Sequence, residues 1–469
     1  RVLFKESSDT FVRLCYLADE SPMFLPLPES NELIWFSERS GWGHLYLYSL
    51  DTGKLKHAIT GGESSSNGGE WLVRNVLHFD SNSRELLIQT AGRNSSISPY
   101  YRDVCKVNID NGELVELMGG DFEHIVYQHE NITGRRIVWS NMDYPGFHAV
   151  SPCGEYLVAT RSRVDTVPES VLIDRQGREI LLVETADISG LPNDWVWPEP
   201  IETIAADGKT KIYGVMYRPS SLSTASAAHP VIDFSGGMRY YSNVAVGSFA
   251  NSILFEFPYL LGCALAQLGF IVVSMEGRGT PCRQKAFSDH LYGEPSATSD
   301  LNDRVAGLTQ LAERYSYMDM ERVGINGTDG NPNLMFGLLD FPDFYKVGVI
   351  QIFCDPRVAV CETSETFDGV PIYGESSKAR HAEDCVDSFK GKLLLMEGML
   401  NPMTATFRLS HALEKANKRF DIQCLTTNTH EIPGYAIRCE WDYFVEHLLG
   451  AEPPSDFSLK VWPIEKTKL

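Results

Sequence analysis

The stretch ILFEFPYLLGCALAQLGFIVVSM, Ile253–Met275, changes its period in the middle. Ile253–Leu268 spaces its apolar residues as one face of a helix does. Phe270–Met275 is instead a short, nearly continuous apolar run between Gly269 and Gly277, which is how a strand buried on both faces reads. A second such run, Val231–Phe234, stands ahead of it. Strand, helix and buried strand in that order make a βαβ unit, and such units impose a parallel sheet with helices on its faces.

Further units follow toward the C-terminus. Ser299–Tyr315 reads as a helix, Arg322–Ile325 as a strand and Leu334–Leu339 as the start of a helix. Lys346–Ile352 and Lys392–Met396 read as strands, Thr406–Ala416 as a helix, Asp421–Thr426 as a strand and Tyr435–Leu449 as a last helix. Trp441, Phe444, Val445 and Leu448 are spaced for the core face of that helix. This is the order of an α/β-hydrolase domain.

Ahead of Pro198-Glu199-Pro200 the pattern is different. Short β-type runs recur at Glu32–Glu38, His44–Ser49, Arg84–Gln89, Asp103–Asn108, Arg136–Ser140, Glu155–Thr160 and Ser170–Asp174. Turn chemistry follows several of them: Asp51-Thr52-Gly53, Asp110-Asn111-Gly112 and Arg175-Gln176-Gly177 mark antiparallel hairpins. Strand-turn-strand units of this size predict propeller blades. The expected organisation is a partial β-propeller over 1–195, an α/β-hydrolase domain over 196–455 and a tail over 456–469. Half a propeller leaves unpaired edges and an open seam, so the missing half is expected as a separate chain or homologous subunit. The polar segment Glu63–Gly69 reads as a loop insertion.

A chain of 469 residues, 43% of them apolar, is long enough for two cores. Its net charge of −21 argues against nucleic acid or an anionic membrane as the main partner, since both are polyanions. The runs Tyr259–Ala266 and Phe270–Val273 are far too short to span a bilayer, so no membrane span is expected and the protein reads as soluble, its compartment unknown. It opens on Arg1 without a charged-plus-apolar leader, and is expected to be a processed or trimmed product. Ten scattered cysteines contain no CxxC pair and no metal-ligand spacing, so no metal and no cofactor is expected. Sequons stand at Asn94, Asn131 and Asn326, a pattern short enough to arise by chance. Glu276-Gly277-Arg278-Gly279-Thr280 lacks the spacing and lysine of a phosphate loop, and His411 and His447 read as surface or packing residues.

Several stretches resemble the dipeptidyl peptidase IV group of the prolyl oligopeptidase family. WFSERSGWGHLYLYSLDTGKL (Trp35–Leu55) is similar to a propeller blade of that group. SRVDTVPESVLIDRQGREI (Ser162–Ile180) and DGKTKIYGVMYRPS (Asp207–Ser220) resemble its propeller exit and first hydrolase strands. GFIVVSMEGRGTPCRQKAFSDHLYGE (Gly269–Glu294) and WDYFVEHLLG (Trp441–Gly450) extend the resemblance. The family holds its nucleophile at a Gly-x-Ser-x-Gly-Gly elbow between strand and helix. Here the equivalent stretch, framed by Glu321–Ile325 and Phe344-Tyr345, reads Gly327-Thr328-Asp329-Gly330-Asn331-Pro332.

The resemblance therefore puts Asp329 at the serine position, and a carboxylate cannot form a serine peptidase's acyl-enzyme. Asn401, in Gly398-Met399-Leu400-Asn401-Pro402-Met403, falls at the position of the triad acid, where it can accept a hydrogen bond but cannot stabilise an imidazolium by charge. His430 matches the histidine that completes the triad. Phe234 replaces the tyrosine of the oxyanion hole, which leaves the Gly330 N–H as its remaining donor, and Met403 replaces an asparagine that binds substrate carbonyl. The family's paired glutamates would lie in the missing propeller half.

A triad stripped of serine and acid implies loss of serine-peptidase activity, because its members act as a unit. Two outcomes stay open. Asp329 and His430 are suited to moving a proton in isomerisation, elimination or cyclisation, in a pocket that Phe234 and Met403 make drier and better fitted to a small apolar molecule. The other outcome is a non-catalytic binding or scaffold pseudopeptidase. An aspartate at this elbow also resembles the nucleophile of epoxide hydrolases and haloalkane dehalogenases, a third reading that shares only the Asp and the His.

Overall fold

The computed structural model describes residues 2–16, 22–62, 69–126, 149–222, 228–234, 248–251, 259–293, 299–327, 333–351, 380–399, 404–426, 434–457 and 459. Three four-stranded antiparallel sheets come first. They are β1 (Phe24–Leu27) to β4 (Leu55–Ala58) through β2 (Glu32–Ser37) and β3 (His44–Ser49); β5 (Leu72–Asp80), β6 (Glu85–Ala91), β7 (Arg102–Asn108) and β8 (Leu114–Met118); and β9 (Glu123–Ile125), β10 (Tyr156–Arg163), β11 (Thr166–Asp174) and β12 (Glu179–Thr185). Each is a simple meander, as hairpin chemistry dictates. Gly53, Gly112 and Gly177 sit at φ +69°, +71° and +79° in the turns β3–β4, β7–β8 and β11–β12, a left-handed geometry that favours glycine.

The sheets stack face to face as propeller blades do. Phe36, Leu45 and Leu47 of the first meet Val73, Ile88 and Val107 of the second. On the other face of the second sheet, Leu77, Val104 and Leu117 meet Leu157, Val171 and Ile173 of the third. The two outer faces of the stack differ. Phe4 covers the first sheet, stacked on Tyr48 at 4.3 Å and edge-on to Trp35 at 5.3 Å. The third sheet keeps Val158, Leu172 and Leu181 in one cross-strand row, with Val158 37% and Leu181 55% exposed beside Tyr156 at 48%.

The rest of the chain builds an eight-stranded sheet in the order β13-β14-β16-β15-β17-β18-β19-β20. Its strands are β13 (Glu199–Ile204), β14 (Lys211–Tyr217), β15 (His229–Phe234), β16 (Ile271–Met275), β17 (Met318–Gly327), β18 (Tyr345–Gln351), β19 (Lys392–Gly398) and β20 (Asp421–Leu425). All neighbours from β16 to β20 run parallel, while β13 and β14 add an antiparallel edge. The strands of this domain therefore begin before Val231–Phe234. β13 alternates exposed and buried residues, as an edge strand does, so it lacks a continuous apolar run.

Helices cover both faces. Side chains alternate along the strands: Val231, Val273, Val323, Ile325 and Leu395 face one layer, and Ile232, Val272, Val349, Leu394 and Met396 the other. The first layer is closed by α2 (Ser299–Arg314), α3 (Asn333–Asp340) and α4 (Thr404–Lys415), through residues such as Leu308, Leu334 and Leu409. The second is closed by α1 (Tyr259–Gln267) and α5 (Gly434–Phe444), through Leu265, Ala436 and Phe444. α5 widens into a single π-type stretch, Val445–Leu449, and stops at Gly450 with φ +69°. Phe444 and Leu448 are buried and Trp441 and Val445 half-buried against the same core, as their spacing predicts. The segments Arg136–Ser140 and 63–68 lie outside the described residues.

Candidate functional site

Parallel pairing brings the C-terminal ends of five strands to one edge. Phe234 lies opposite Asn326, Gly327 opposite Ile350, Gln351 opposite Met396 and Gly398 opposite Leu425. From β15 the chain goes to β16 on one side and then to β17 on the other, so the strand order reverses between β15 and β17. Crevices beyond the strand ends at such a reversal are where open α/β sheets bind ligands. Phe234 ends β15 and is buried, packed in the same core as Tyr259 and Leu265.

The other sequence-predicted site residues follow these strand ends. Asp329 and Gly330 come two and three residues after Gly327, Asn401 and Met403 three and five after Gly398, and His430 five after Leu425 and four before Gly434. All five lie outside the described residues. What the structure brings together is therefore the frame: the ends of β15, β17, β19 and β20 and the start of α5.

Directly beneath that edge lies a polar group that sequence reading missed. Glu440, on α5, is 4% exposed and accepts hydrogen bonds from Asn326 Nδ2 at 2.7 Å and Gln351 Nε2 at 2.9 Å. Burial raises its pKa to about 7, and the two amide hydrogen bonds only partly oppose the shift. The signal was present in the sequence: Ala436, Glu440 and Phe444 recur every four residues, which puts an acid on the core stripe of the helix. Asn326 is buried, so one of the three sequons is closed to glycosylation in the folded chain, while Asn94 is exposed in a turn where its Oδ1 accepts from Ser96.

A second polar cluster supports β15 from the opposite face. Asp233 is buried and receives Arg304 through two nitrogens and Tyr345 Oη at 2.7 Å; Arg304 Nη1 also donates to Met275 O at 2.6 Å. The segment Glu276–Thr280 is a turn: Gly279 has φ +111°, Arg278 pairs with Asp303 and the Glu276 carboxylate accepts from Thr280 and from Tyr100. His411 is exposed, and His447 lies edge-on to Tyr443 at 4.3 Å. A cleft of about 760 Å³ lies away from the strand ends, between the segment 5–13, the first sheet and Lys285–Asp289. Ion pairs of Arg39 with Glu6 and of Lys285 with Asp289 line it, and it belongs to the junction of the two regions. Among the described residues there is no cluster of metal-ligating side chains and no helix long and apolar enough to cross a membrane.

Comparison with known proteins agrees with this geometry. Residues 260–450 match the prolyl oligopeptidase family and residues 1–135 match the dipeptidyl peptidase IV N-terminal region. The chain is 27% identical over 261 residues to dipeptidyl peptidase 8 of Homo sapiens and 26% identical over 261 residues to that of Mus musculus. Each alignment covers 52% of this chain but only 27% and 28% of those proteins. Among solved structures, a putative dipeptidyl aminopeptidase IV from Bacteroides ovatus superposes with a TM-score of 0.70 at 19% identity, covering 90% of this chain and 57% of that one. Porphyromonas gingivalis dipeptidyl peptidase 4 gives 0.70 at 20%, covering 89% and 55%. With a hydrolase sheet behind stacked blades, and both halves matched in order along the sequence, the chain belongs to the prolyl oligopeptidase family and is dipeptidyl peptidase IV-like.

Proposed function

We propose that this chain keeps the hydrolase scaffold of its family without serine-peptidase chemistry, and that Asp329 and His430 serve proton transfer on a small apolar molecule. One observation carries the reading: the segment that follows β17 at the strand-order reversal reads Gly327-Thr328-Asp329-Gly330-Asn331-Pro332 and holds no serine. A carboxylate and an imidazole, with ordinary pKa values of about 3.9 and 6.5, can take and return a proton near neutral pH. Phe234 adds an apolar wall where the family has a hydroxyl donor, which disfavours an oxyanion and favours an apolar ligand. Asn401 keeps a hydrogen-bond acceptor for His430 without the charge, and Met403 and Gly330 complete the proposed pocket.

The first test is chemical. The purified chain is expected to give no covalent adduct with a fluorophosphonate and no hydrolysis of a glycyl-prolyl anilide. An adduct on any residue of 327–333 would end the reading. The second is binding: apolar fragments screened by thermal shift should include some that stabilise the wild type but not Asp329→Asn or His430→Gln. Incorporation of oxygen-18 from solvent into the Asp329 carboxylate during turnover of an epoxide would instead make Asp329 a nucleophile.

A scaffold role is favoured by a separate observation, the bare apolar row on the third sheet. With 1–195 as propeller blades, 196–455 as hydrolase and 456–469 as tail, that face is where a further blade, from a separate chain or a homologous subunit, would pack. Val158→Lys with Leu181→Lys is expected to abolish such association in analytical ultracentrifugation and leave fragment binding intact. Unchanged association would remove this face from consideration.

A further inference from the structure

The site frame rests on three side chains that a well-packed core would not choose. Asn326 is the last residue but one of β17, Gln351 ends β18, and Glu440 reaches both from α5 within a layer that includes Val349, Leu394, Met396, Ala436 and Phe444. Burying a carboxyl among apolar residues is costly, and the same volume filled with apolar atoms would stabilise the fold more simply. The set is also incomplete: among the described residues Asn326 Oδ1 is buried with no hydrogen-bond donor, although it belongs to the amide that serves Glu440. A protonated Glu440 can donate its O–H to an amide oxygen, whereas the carboxylate can only accept.

No described charge competes for that role. On α5, Arg438 pairs with Asp442 and reaches carbonyls of the C-terminal segment, and Tyr443 donates to Asp421 at the start of β20. Beyond α5, Glu446 is exposed and His447 packs on Tyr443. On β17, Asp319, Glu321 and Arg322 lie at the far end, with Arg322 bound to Asp319. On β18, Lys346 stands at the start, and on β19 Lys392 likewise, while Glu397 shares the parity of Leu393 and Leu395 and so faces the opposite layer, bound by Thr406.

We propose that Glu440 is a positioning residue for the Asp329/His430 site: in its protonated form it locks α5 to the ends of β17 and β18, and ionisation loosens that lock. The proposal rests on the functional reading above for what is positioned, because Asp329 follows β17 and His430 precedes α5. It names a proton as the ligand of the network, and the lock strengthens as pH falls through neutrality. The chemistry also sets the order of effects. Gln351 donates to the carboxylate, so removing it selectively weakens the ionised form.

Hydrogen exchange read by mass spectrometry on the full chain, corrected for intrinsic rates, tests this in peptides covering 326–340 and 427–444. Protection in the wild type is expected to fall by about tenfold per pH unit between pH 5 and 7 and to level off above, because opening exposes a carboxyl that then ionises freely. Glu440→Gln, neutral at every pH and still a donor, should hold the pH 5 level of protection up to pH 8. Gln351→Met should retain the fall but move its levelling-off to higher pH. A pH-independent wild type, or a Glu440→Gln that loses protection equally at all pH values, overturns the proposal and leaves Glu440 a packing residue. The readout needs neither Asp329 nor His430, so a failure of the proton-transfer reading shows in fragment binding and not here.

Discussion

Two buried carboxyls, Glu440 and Asp103, each favour the folded chain in acid and lose that contribution as pH rises. The folded-state pKa of Glu440 is raised, to about 7 from an ordinary 4.5, so the native state binds a proton that the unfolded chain releases. Its contribution is fully present below pH 4.5 and is lost as pH rises through 7, amounting to about 3 kcal/mol across that window. Asp103 acts in the same direction: burial, then the nearby Glu116, raise it to about 7 against the pull of Arg93. Urea midpoints measured at pH 5 and pH 8 should therefore differ less in Glu440→Gln than in the wild type, and less again when Asp103→Asn is added. Equal differences in all three proteins would show that neither acid is held protonated. Asn326 gives a second check at this scale. Expressed through a eukaryotic secretory route, the chain should carry no glycan on the Asn326 peptide, because that side chain is buried and donates to Glu440; Asn94 is exposed and accessible.

At the scale of elements, α5 is placed by what its neighbour lacks. A Cβ on Gly324 of β17 would come within 2.7 Å of Leu448 Cδ1 and 2.9 Å of Phe444 Cε1, so glycine there allows the helix to approach the sheet. Gly324→Ala should destabilise by about 1–3 kcal/mol through overpacking, read as a lower urea midpoint, while Gly208→Ala, with nothing near its Cβ but φ +74°, tests backbone strain alone. The buried strands were legible because both their faces are apolar: Val231–Phe234 and Phe270–Met275 are found as β15 and β16 within a residue or two. The three glycine turns were legible because a left-handed residue has few substitutes. β12 was not, since Glu179-Ile180-Leu181-Leu182-Val183-Glu184 is exposed along its whole length and owes its place to pairing with β11 rather than to burial. Nor was the Asn326–Gln351–Glu440 group, whose members lie far apart in sequence and meet only through strand order. Of the predicted site residues, Phe234 falls within the described residues, buried at the end of β15; the other five follow strand ends whose convergence depends on topology, which spacing alone does not reveal.

At the scale of the whole molecule, the two regions are joined by side chains that neither could satisfy alone. Cys282 of the hydrolase region is buried in the core of the first two antiparallel sheets, and the next residue, Arg283, places its guanidinium over the rings of Tyr100, Tyr213 and Phe287 at 5.7, 5.5 and 4.4 Å. Tyr100 donates to buried Glu276, Lys285 donates from its backbone to Gly41 O and from Nζ to Phe11 O, and Asp289 accepts from Thr10 and pairs with Arg13. Most of these contacts converge on the segment 276–289, so the blades should unfold together with the hydrolase sheet. Arg283→Ala removes a cation shared by three rings and should weaken the junction by about 1–2 kcal/mol. In scanning calorimetry the wild type is expected to melt in one transition, and Arg283→Ala, or more so Arg283→Ala with Tyr100→Phe, to separate the early melting of the blades from the later melting of the hydrolase domain. Two transitions already present in the wild type would mean that the junction does not couple the regions. An unchanged single transition in the double variant would mean that Lys285 and Asp289 suffice to couple them.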